Sequence, residues 1–233
     1  PTTPSHPSEI FRRATSSASE ILRGLTTFRR RKRKDLVVVT NLNQLYLQAH
    51  ALHPLIIEKV QDIATKSGAL LSARKDQENP SQNFAEFIRW NDALADPSVA
   101  SRVKWASLKG RERAVQKMVR GYKGDCSKLV DICRQALIFE SVSQLHLALE
   151  AIDADQDLNV CRVKNSLTQE YNAMSTAGYR QVIVNLMLCS KKARRLGLEW
   201  HVVEVQLTLR AFAELRNADG HRRYVSFRDN RAR

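Results

Sequence analysis

The chain of 233 residues is 43% hydrophobic and 27% charged, which is typical of a folded protein and excludes a low-complexity chain. Its net charge of +14 favours phosphate-rich partners such as nucleotides, RNA or an anionic membrane surface, without choosing among them. No apolar run approaches the ~20 residues that a membrane span needs. The four cysteines are spaced singly with no C-x-x-C pair, which favours reduced thiols and an intracellular, reducing compartment.

The first 35 residues form a basic Ser- and Arg-rich arm, with nine Arg or Lys against three acids. Three interpretations stay open. The arm is a solvated tail, a targeting segment for an organelle such as a mitochondrion or plastid, or an extension that binds RNA through its phosphates. The RNA-binding residues of the third interpretation are Arg29, Arg30, Arg31, Lys32, Arg33 and Lys34.

Residues 36–100 are predicted to form a helical N-terminal region. Apolar residues at helical spacing follow Asn41 and end at the stop signal Gly68, with Pro54 expected to kink or split the helix. A loop is predicted over 71–81 and a second helix over 84–94. A third helix is predicted to run across the region boundary, from residue 98 to residue 120.

Residues 101–233 are predicted to form an α+β domain with a basic C-terminal tail. Strands are expected over 129–139, 159–164, 179–188 and 200–209, with helices over 141–152 and 210–217. Strands mixed with helices, and late strands that neighbour each other like a hairpin, favour a mixed, mostly antiparallel sheet flanked by helices.

Two carboxylates stand out in this second half because each lies in an otherwise apolar strand context. Burying Asp131 or Glu204 alone is costly unless a cation compensates the charge. A pair of acids from two strands can hold Mg²⁺, which takes one or two carboxylates together with phosphate oxygens. The sequence therefore predicts a magnesium site at Asp131 and Glu204.

Basic and aromatic residues complete a candidate nucleotide site. Lys109, Arg113 and Lys117 share one face of the predicted third helix, where they can hold phosphates, although such a stripe is also typical of a solvated face. Tyr179 directly follows Gly178 and offers a ring on which a base can stack. No Walker loop or G-x-G-x-x-G motif occurs, which excludes the common nucleotide-binding loops.

The order of these motifs resembles a known family. The segments SLKGRERAVQKM, DICRQALIF, RVKNSL, AGYRQVI and EVQLTL follow each other as the motifs of the RelA/SpoT synthetase domain do. That domain has a nucleotidyltransferase-like fold and makes guanosine tetra- and pentaphosphate. The resemblance covers residues 104–224 and depends on order and spacing more than on any single motif.

The resemblance implies a pyrophosphokinase that uses ATP, Mg²⁺ and a purine nucleotide acceptor. It implies that Lys109 and Lys117, with Arg113 nearby, hold the triphosphate of ATP, and that Asp131 is a Mg²⁺ ligand. It further implies that Lys164 precedes the substrate-side loop and that Tyr179 stacks on the guanine. Glu204 would bind the metal or activate the acceptor 3′-hydroxyl, with Gln206 as its neighbour.

Several positions depart from the family pattern. The departing residues are Ser107, Ala136, Asn165, Ala177, Ile183 and Thr208. These losses of cationic or hydrogen-bonding groups leave three hypotheses. The protein is an active enzyme with an altered acceptor, such as another purine nucleotide or an RNA 3′ end. Alternatively, it is a degenerate fold that binds RNA or the ribosome, or a module that senses nucleotides without reacting.

Overall fold

The computed structural model describes residues 39–74, 86–176 and 178–214 of the chain. The basic arm, including its RNA-binding candidates Arg29–Lys34, and the C-terminal tail lie outside the described residues. Within the described residues, no helix is both long enough and apolar enough to cross a membrane.

The first helix, α1, spans Leu42–Ser67 and forms where local signals place it. The Asn41 side chain caps it by accepting a hydrogen bond from the Asn43 backbone N–H. Gly68 ends it in the left-handed conformation, with φ of 65°, which glycine adopts without steric cost. The helix continues through Pro54 as one element.

The other elements alternate short helices with the strands of one sheet. The strands are β1 Leu70–Ser72, β2 Phe87–Arg89, β3 Arg134–Phe139, β4 Leu158–Asn165, β5 Val182–Leu188 and β6 Val202–Leu209. The helices are α2 Trp90–Ala95, α3 Pro97–Ser101, α4 Arg111–Tyr122, α5 Val142–Ala154, α6 Lys191–Arg195 and α7 Arg210–Glu214. Single 3₁₀ turns span Cys126–Lys128 and Ala173–Thr176.

The strands form a six-stranded mixed sheet in the order β2-β1-β3-β6-β5-β4. The pair β3–β6 is parallel, and the other neighbouring pairs are antiparallel. The predicted α+β class, with a mixed and mostly antiparallel sheet flanked by helices and preceded by an N-terminal helix, is confirmed.

Three predicted elements differ from the structure because tertiary contacts set their conformation. The described part of the predicted helix 84–94 begins as strand β2, which pairs with β1, and turns helical only at Trp90. The predicted helix 98–120 is divided between α3 and α4. Between them, residues 103–110 are not helical: Val103 bridges to Ala73, and the Lys104 N–H donates to the Ser72 carbonyl. The predicted strand 129–139 begins only at Arg134.

Helices α1 and α5 cover one face of the sheet and form the core with it. Leu52 and Ile56 of α1 and Leu145 and Leu149 of α5 are each at most 1% exposed. Alternate residues of the strands join them in the same cluster: Leu137, Phe139, Val184, Leu186, Val203, Val205 and Leu207. This packing leaves the intervening residues of each strand on the opposite face.

On strands β3, β6, β5 and β4, that opposite face carries mostly polar side chains, and we call this part of the sheet the polar sheet face. Its members are Arg134 and Ala136 of β3, Glu204 and Gln206 of β6, Ile183 and Asn185 of β5, and Arg162 and Lys164 of β4. A bulge between Val160 and Arg162 inserts Cys161, which shifts the alternation so that Arg162 joins this face while Val160 joins the core.

Candidate nucleotide site

Lys109 lies on an extended strap of residues 104–110, two residues before α4 begins, and not on a helix as its spacing predicted. Its backbone N–H donates to the Ile132 carbonyl at 2.9 Å. Its own carbonyl accepts from the Tyr46 hydroxyl at 2.5 Å. These two bonds hold the strap between α1 and the segment that carries Asp131.

A buried amide from β3 fixes the strap three residues earlier. Gln135 is 2% exposed, and its Oε1 accepts from the Ala106 N–H at 3.1 Å. Its Nε2 donates to the Ala106 carbonyl, also at 3.1 Å, and His53 Nε2 lies 2.8 Å from the same carbonyl. The Gln135 side chain thus hydrogen-bonds to both the N–H and the carbonyl of Ala106, as the backbone of a neighbouring strand would.

The strap brings Lys109 to a buried carboxylate that it shares with α4. Asp131 is 6% exposed, and its Oδ2 accepts from Lys109 Nζ at 2.5 Å. Lys117 Nζ, from the first half of α4, lies 2.9 Å from the same oxygen. Two of the three predicted phosphate-binding cations therefore meet at one predicted metal ligand.

The three charges shift one another's protonation equilibria. Burial disfavours the charge of Asp131, but the hydrogen bonds and charges of both lysines outweigh it and lower the pKa of its carboxyl. Burial also lowers the pKa of Lys109, and together with the weaker repulsion from Lys117 and Arg134 it outweighs the hydrogen bond and charge of Asp131, which raise that pKa. For Lys117, burial is outweighed by Asp131 together with Tyr122 and Glu204, and its pKa is raised.

Glu204 and Gln206 face this cluster from the central strand β6. Both side chains are 9% exposed, and Gln206 Nε2 donates to Glu204 Oε1 at 2.7 Å. The Glu204 backbone N–H donates to the Cys133 carbonyl, two residues after Asp131, at 3.0 Å, and the charge of Glu204 helps to raise the pKa of Lys117. Lys109 and Lys117 thus meet at Asp131, and Glu204 and Gln206 lie on β6, the strand next to β3.

The other three predicted site residues lie farther out. Arg113 is exposed on α4, and Lys164 is exposed on the outer strand β4, in the row of Gln206. Tyr179 lies just before β5, which begins at Val182, and its hydroxyl donates to Gln181 Oε1 at 3.3 Å. Lys164 belongs to the polar sheet face, whereas Arg113 lies on α4 and Tyr179 lies before β5.

Two residues of the site were not predicted. Arg134 pairs in register with Glu204, and Asn185 pairs with Glu204 from the other side. Arg134 faces the same way as Ala136, the position where the family pattern expects a strand arginine. The position of Arg134 three residues after Asp131, and the alternation of side chains along β3, could have identified Arg134 from the sequence. Asn185 could be identified only with the register between β5 and β6.

The donor set fits Mg²⁺. Asp131 Oδ1 is buried and has no hydrogen-bond partner in the described part of the chain, while Oδ2 accepts from the lysines. With Glu204 it supplies the hard carboxylate oxygens that Mg²⁺ prefers. Among residues 39–74, 86–176 and 178–214, no group of three or more His, Cys, Asp or Glu has the geometry of a metal site.

No family model and no curated protein sequence matches the chain. Solved structures do resemble it. The Type VI effector Tas1, in complex with its immunity protein, has a TM-score of 0.44 at 20% identity, over 82% of this chain and 78% of that chain. The small alarmone synthetase 1 from Bacillus subtilis has a TM-score of 0.46 at 14% identity, over 73% of this chain and 72% of that chain.

The same synthetase bound to its product pppGpp has a TM-score of 0.41 at 18% identity, over 54% of this chain and 66% of that chain. At these identities and TM-scores, the likeness assigns this chain neither a family nor an activity. The resemblance to the RelA/SpoT synthetase domain therefore stays a prediction drawn from the motifs.

Proposed function

We propose that the protein transfers a pyrophosphoryl group from ATP to a hydroxyl group of a purine nucleotide, as synthesis of guanosine tetraphosphate requires. The observation that carries this proposal is the charge cluster. Lys109 and Lys117 share the buried carboxylate of Asp131, and the buried Glu204 lies on β6, the strand next to β3, from which its charge acts on Lys117. Phosphoryl transfer depends on such positioned cations and acids more than on covalent chemistry by the protein.

The lysines would hold the triphosphate. Both ammonium groups lie within 2.9 Å of Asp131 Oδ2, so the carboxylate sets their positions before a nucleotide binds. Phosphate oxygens can take the remaining donors of each ammonium group. Asp131 and Glu204 would hold Mg²⁺, which when bound supplies further neutralisation of charge at the phosphate oxygens.

Glu204 would take the proton of the attacking hydroxyl. The hydroxyl oxygen forms a bond to the β-phosphorus of ATP, the bond from that phosphorus to the α–β bridging oxygen breaks, and AMP leaves. Gln206 donates to one oxygen of Glu204 and so orients the other toward the acceptor. General base catalysis of this kind contributes about 10²–10⁴-fold to rate.

The proposal is tested by incubating the protein with Mg²⁺, ATP labelled at its β- or γ-phosphate, and GDP, GTP, AMP, ADP or tRNA as acceptor. A labelled acceptor is expected for at least one of the nucleotides. Glu204→Gln should reduce the transfer at least ~10²-fold because the amide cannot accept the proton. Glu58→Gln, an exposed position on α1 across the sheet, is the matched control and should transfer normally.

A second candidate function is a binding protein for RNA or the ribosome, and exposed basic residues favour it. Lys191, Lys192, Arg194 and Arg195 of α6 are all exposed, as are Arg162 and Lys164 at the sheet edge. Transfer to no acceptor, with RNA bound equally by wild type and Glu204→Gln, would favour this function and overturn the first. Transfer to tRNA alone would identify an RNA 3′-hydroxyl as the acceptor.

A further inference from the structure

Asn185 lies in the middle of a row of polar side chains that crosses four strands. Arg134 of β3 pairs in register with Glu204 of β6, Glu204 with Asn185 of β5, and Asn185 with Arg162 of β4. Residues paired in this way share a face of the sheet and have Cβ atoms about 4.5–5.5 Å apart. Asn185 is therefore the cross-strand neighbour of the proposed general base.

The Asn185 amide is buried and its donor is unused. The residue is 5% exposed, and its Nδ2 has no hydrogen-bond partner within the described residues. The other two buried strand amides are used: Gln135 holds Ala106, and Gln206 donates to Glu204. A buried donor without a partner costs stability, and asparagine is disfavoured in strands.

The neighbours of Asn185 show which chemistry its donor can meet. Glu204 beside it only accepts hydrogen bonds in its ionised form, while a primary amide both donates and accepts. Arg162 and Arg134 at the two ends of the row favour an anionic ligand over the polar sheet face. A ribose fits this pair, because one hydroxyl can donate to the carboxylate while the adjacent hydroxyl accepts from the amide.

We propose that Asn185 binds the ribose 2′-hydroxyl of the acceptor nucleotide while Glu204 acts on the adjacent 3′-hydroxyl. This assignment rests on the proposed function and adds to it a residue that determines specificity. Asn185 would make the protein distinguish a ribonucleotide acceptor from its 2′-deoxy compound. A site built to hydrogen-bond a substrate hydroxyl rejects the analogue that lacks it, because the buried polar group is then left unpaired.

The first test compares GDP with 2′-deoxy-GDP, and ADP with 2′-deoxy-ADP, as acceptors for wild type and Asn185→Leu. Wild type should use the ribonucleotide at least about tenfold better, a value typical of one hydrogen bond to a buried group. The variant should lose that preference by using the ribonucleotide less well while its use of the deoxynucleotide stays unchanged. An unchanged preference in Asn185→Leu would overturn the assignment while leaving pyrophosphoryl transfer intact.

The second test separates a binding role from a structural one. In urea without nucleotide, Asn185→Leu should unfold at the same or a higher concentration than wild type, because the variant removes an unpaired donor. Unfolding at a clearly lower concentration would show that the amide serves the fold, and would overturn the proposal. Asn159→Leu, a half-buried asparagine on β4, is the matched control.

If wild type transfers to no acceptor, the proposed function fails by itself, and the same nucleotide pairs are compared by isothermal titration. Tighter binding of GDP or ADP than of the 2′-deoxy compound, with the difference lost in Asn185→Leu, would support the assignment of Asn185 alone. Equal binding of both compounds by wild type would overturn it.

Discussion

Buried ionisable side chains in this protein keep or lose their charge according to their partners. Asp131 stays ionised because two ammonium groups contact its Oδ2. His201 is 5% exposed, with Nδ1 3.3 Å from Gln48 Oε1 and Nε2 without a partner in the described part of the chain. Burial therefore lowers the pKa of His201 to about 4, and the imidazole is neutral at physiological pH.

His201 makes the stability of the protein sensitive to acid. Between pH 6.5, the pKa of an ordinary histidine, and about 4, the unfolded chain binds a proton that the folded chain does not. The free energy of unfolding should fall as the pH drops through this window, by up to about 3 kcal/mol. Urea unfolding measured from pH 7 to pH 4 checks this loss.

The matched variants are His201→Gln and His146→Gln, the latter at the α5 histidine that lies 3.6 Å from Glu150. His201→Gln should reduce the decline in the free energy of unfolding between pH 6.5 and 4. His146→Gln should show most of the decline seen in wild type. A decline of the same size in both variants would assign the acid sensitivity to other groups.

At the scale of elements, one arginine organises the connection between β4 and β5. The Arg180 guanidinium donates to the carbonyls of Ser166, Thr168 and Tyr171 at 3.1, 2.6 and 3.2 Å. It also lies over the Tyr171 ring, 5.7 Å from its centroid. This connection leads directly to Tyr179, so Arg180 helps to position the proposed base-stacking residue.

Arg180→Met should loosen the connection while leaving the sheet intact. Loss of three hydrogen bonds from a charged donor should speed amide exchange in residues 166–176 at least about tenfold. Exchange in β3 and β6 should not change. Arg195→Met, an exposed arginine of α6, is the control and should alter neither region. Equal exchange in Arg180→Met and wild type would show that other contacts hold the connection.

At the scale of the whole molecule, residues before and after position 100 build the same sheet and core. Strands β1 and β2 come from the first part; they pair with each other, and β1 pairs with β3 from the second part. Helix α1 packs in the same cluster as α5. The sequence predicted a helical region ending at residue 100 and a separate α+β domain after it, and this shared core favours one unfolding unit.

The variant Leu52→Ala, in the first part of the chain, tests whether both parts unfold as one unit. Leu52 is fully buried in α1, and its truncation should lower the free energy of unfolding by about 2–5 kcal/mol. The loss should be the same whether it is followed by the fluorescence of Trp90, which lies before position 100, or by that of Trp200, which lies after it. Variants that keep only one of these two tryptophans, with Trp105 replaced, separate the signals.

Leu47→Ala is the matched control, because Leu47 is 70% exposed on the same helix and its truncation should change stability little. A shift of the Trp90 transition alone, with the Trp200 transition unchanged, would establish two independent domains.

Local signals allowed part of this structure to be predicted. Asn41 and Gly68 bound α1 because capping depends on neighbouring residues alone. Asp131 and Glu204 were predicted to act together because a carboxylate in an apolar context needs a partner. Lys109 was placed on a helix by its spacing, because the residues that hold the strap, among them Gln135, Tyr46 and Ile132, are distant in sequence.

Asn185 and Arg162 could not be predicted because their positions depend on strand register. Asn185 meets Glu204 only once β5 pairs with β6 in the observed alignment. Arg162 joins the polar sheet face only because Cys161 bulges, and nothing in the local sequence requires that bulge.

The parallel pairing of β3 with β6 has a consequence for the order in which the protein folds. Strands β5 and β6 are joined through residues 189–201, which include α6, whereas Arg134 and Glu204 pair across about seventy residues of chain. Contacts of such long sequence separation form slowly, because a large loop must close before they contribute. We therefore expect β5 and β6 to pair before β3 joins them, so that the two parts of the proposed site, on β6 and at Asp131, would come together only late in folding.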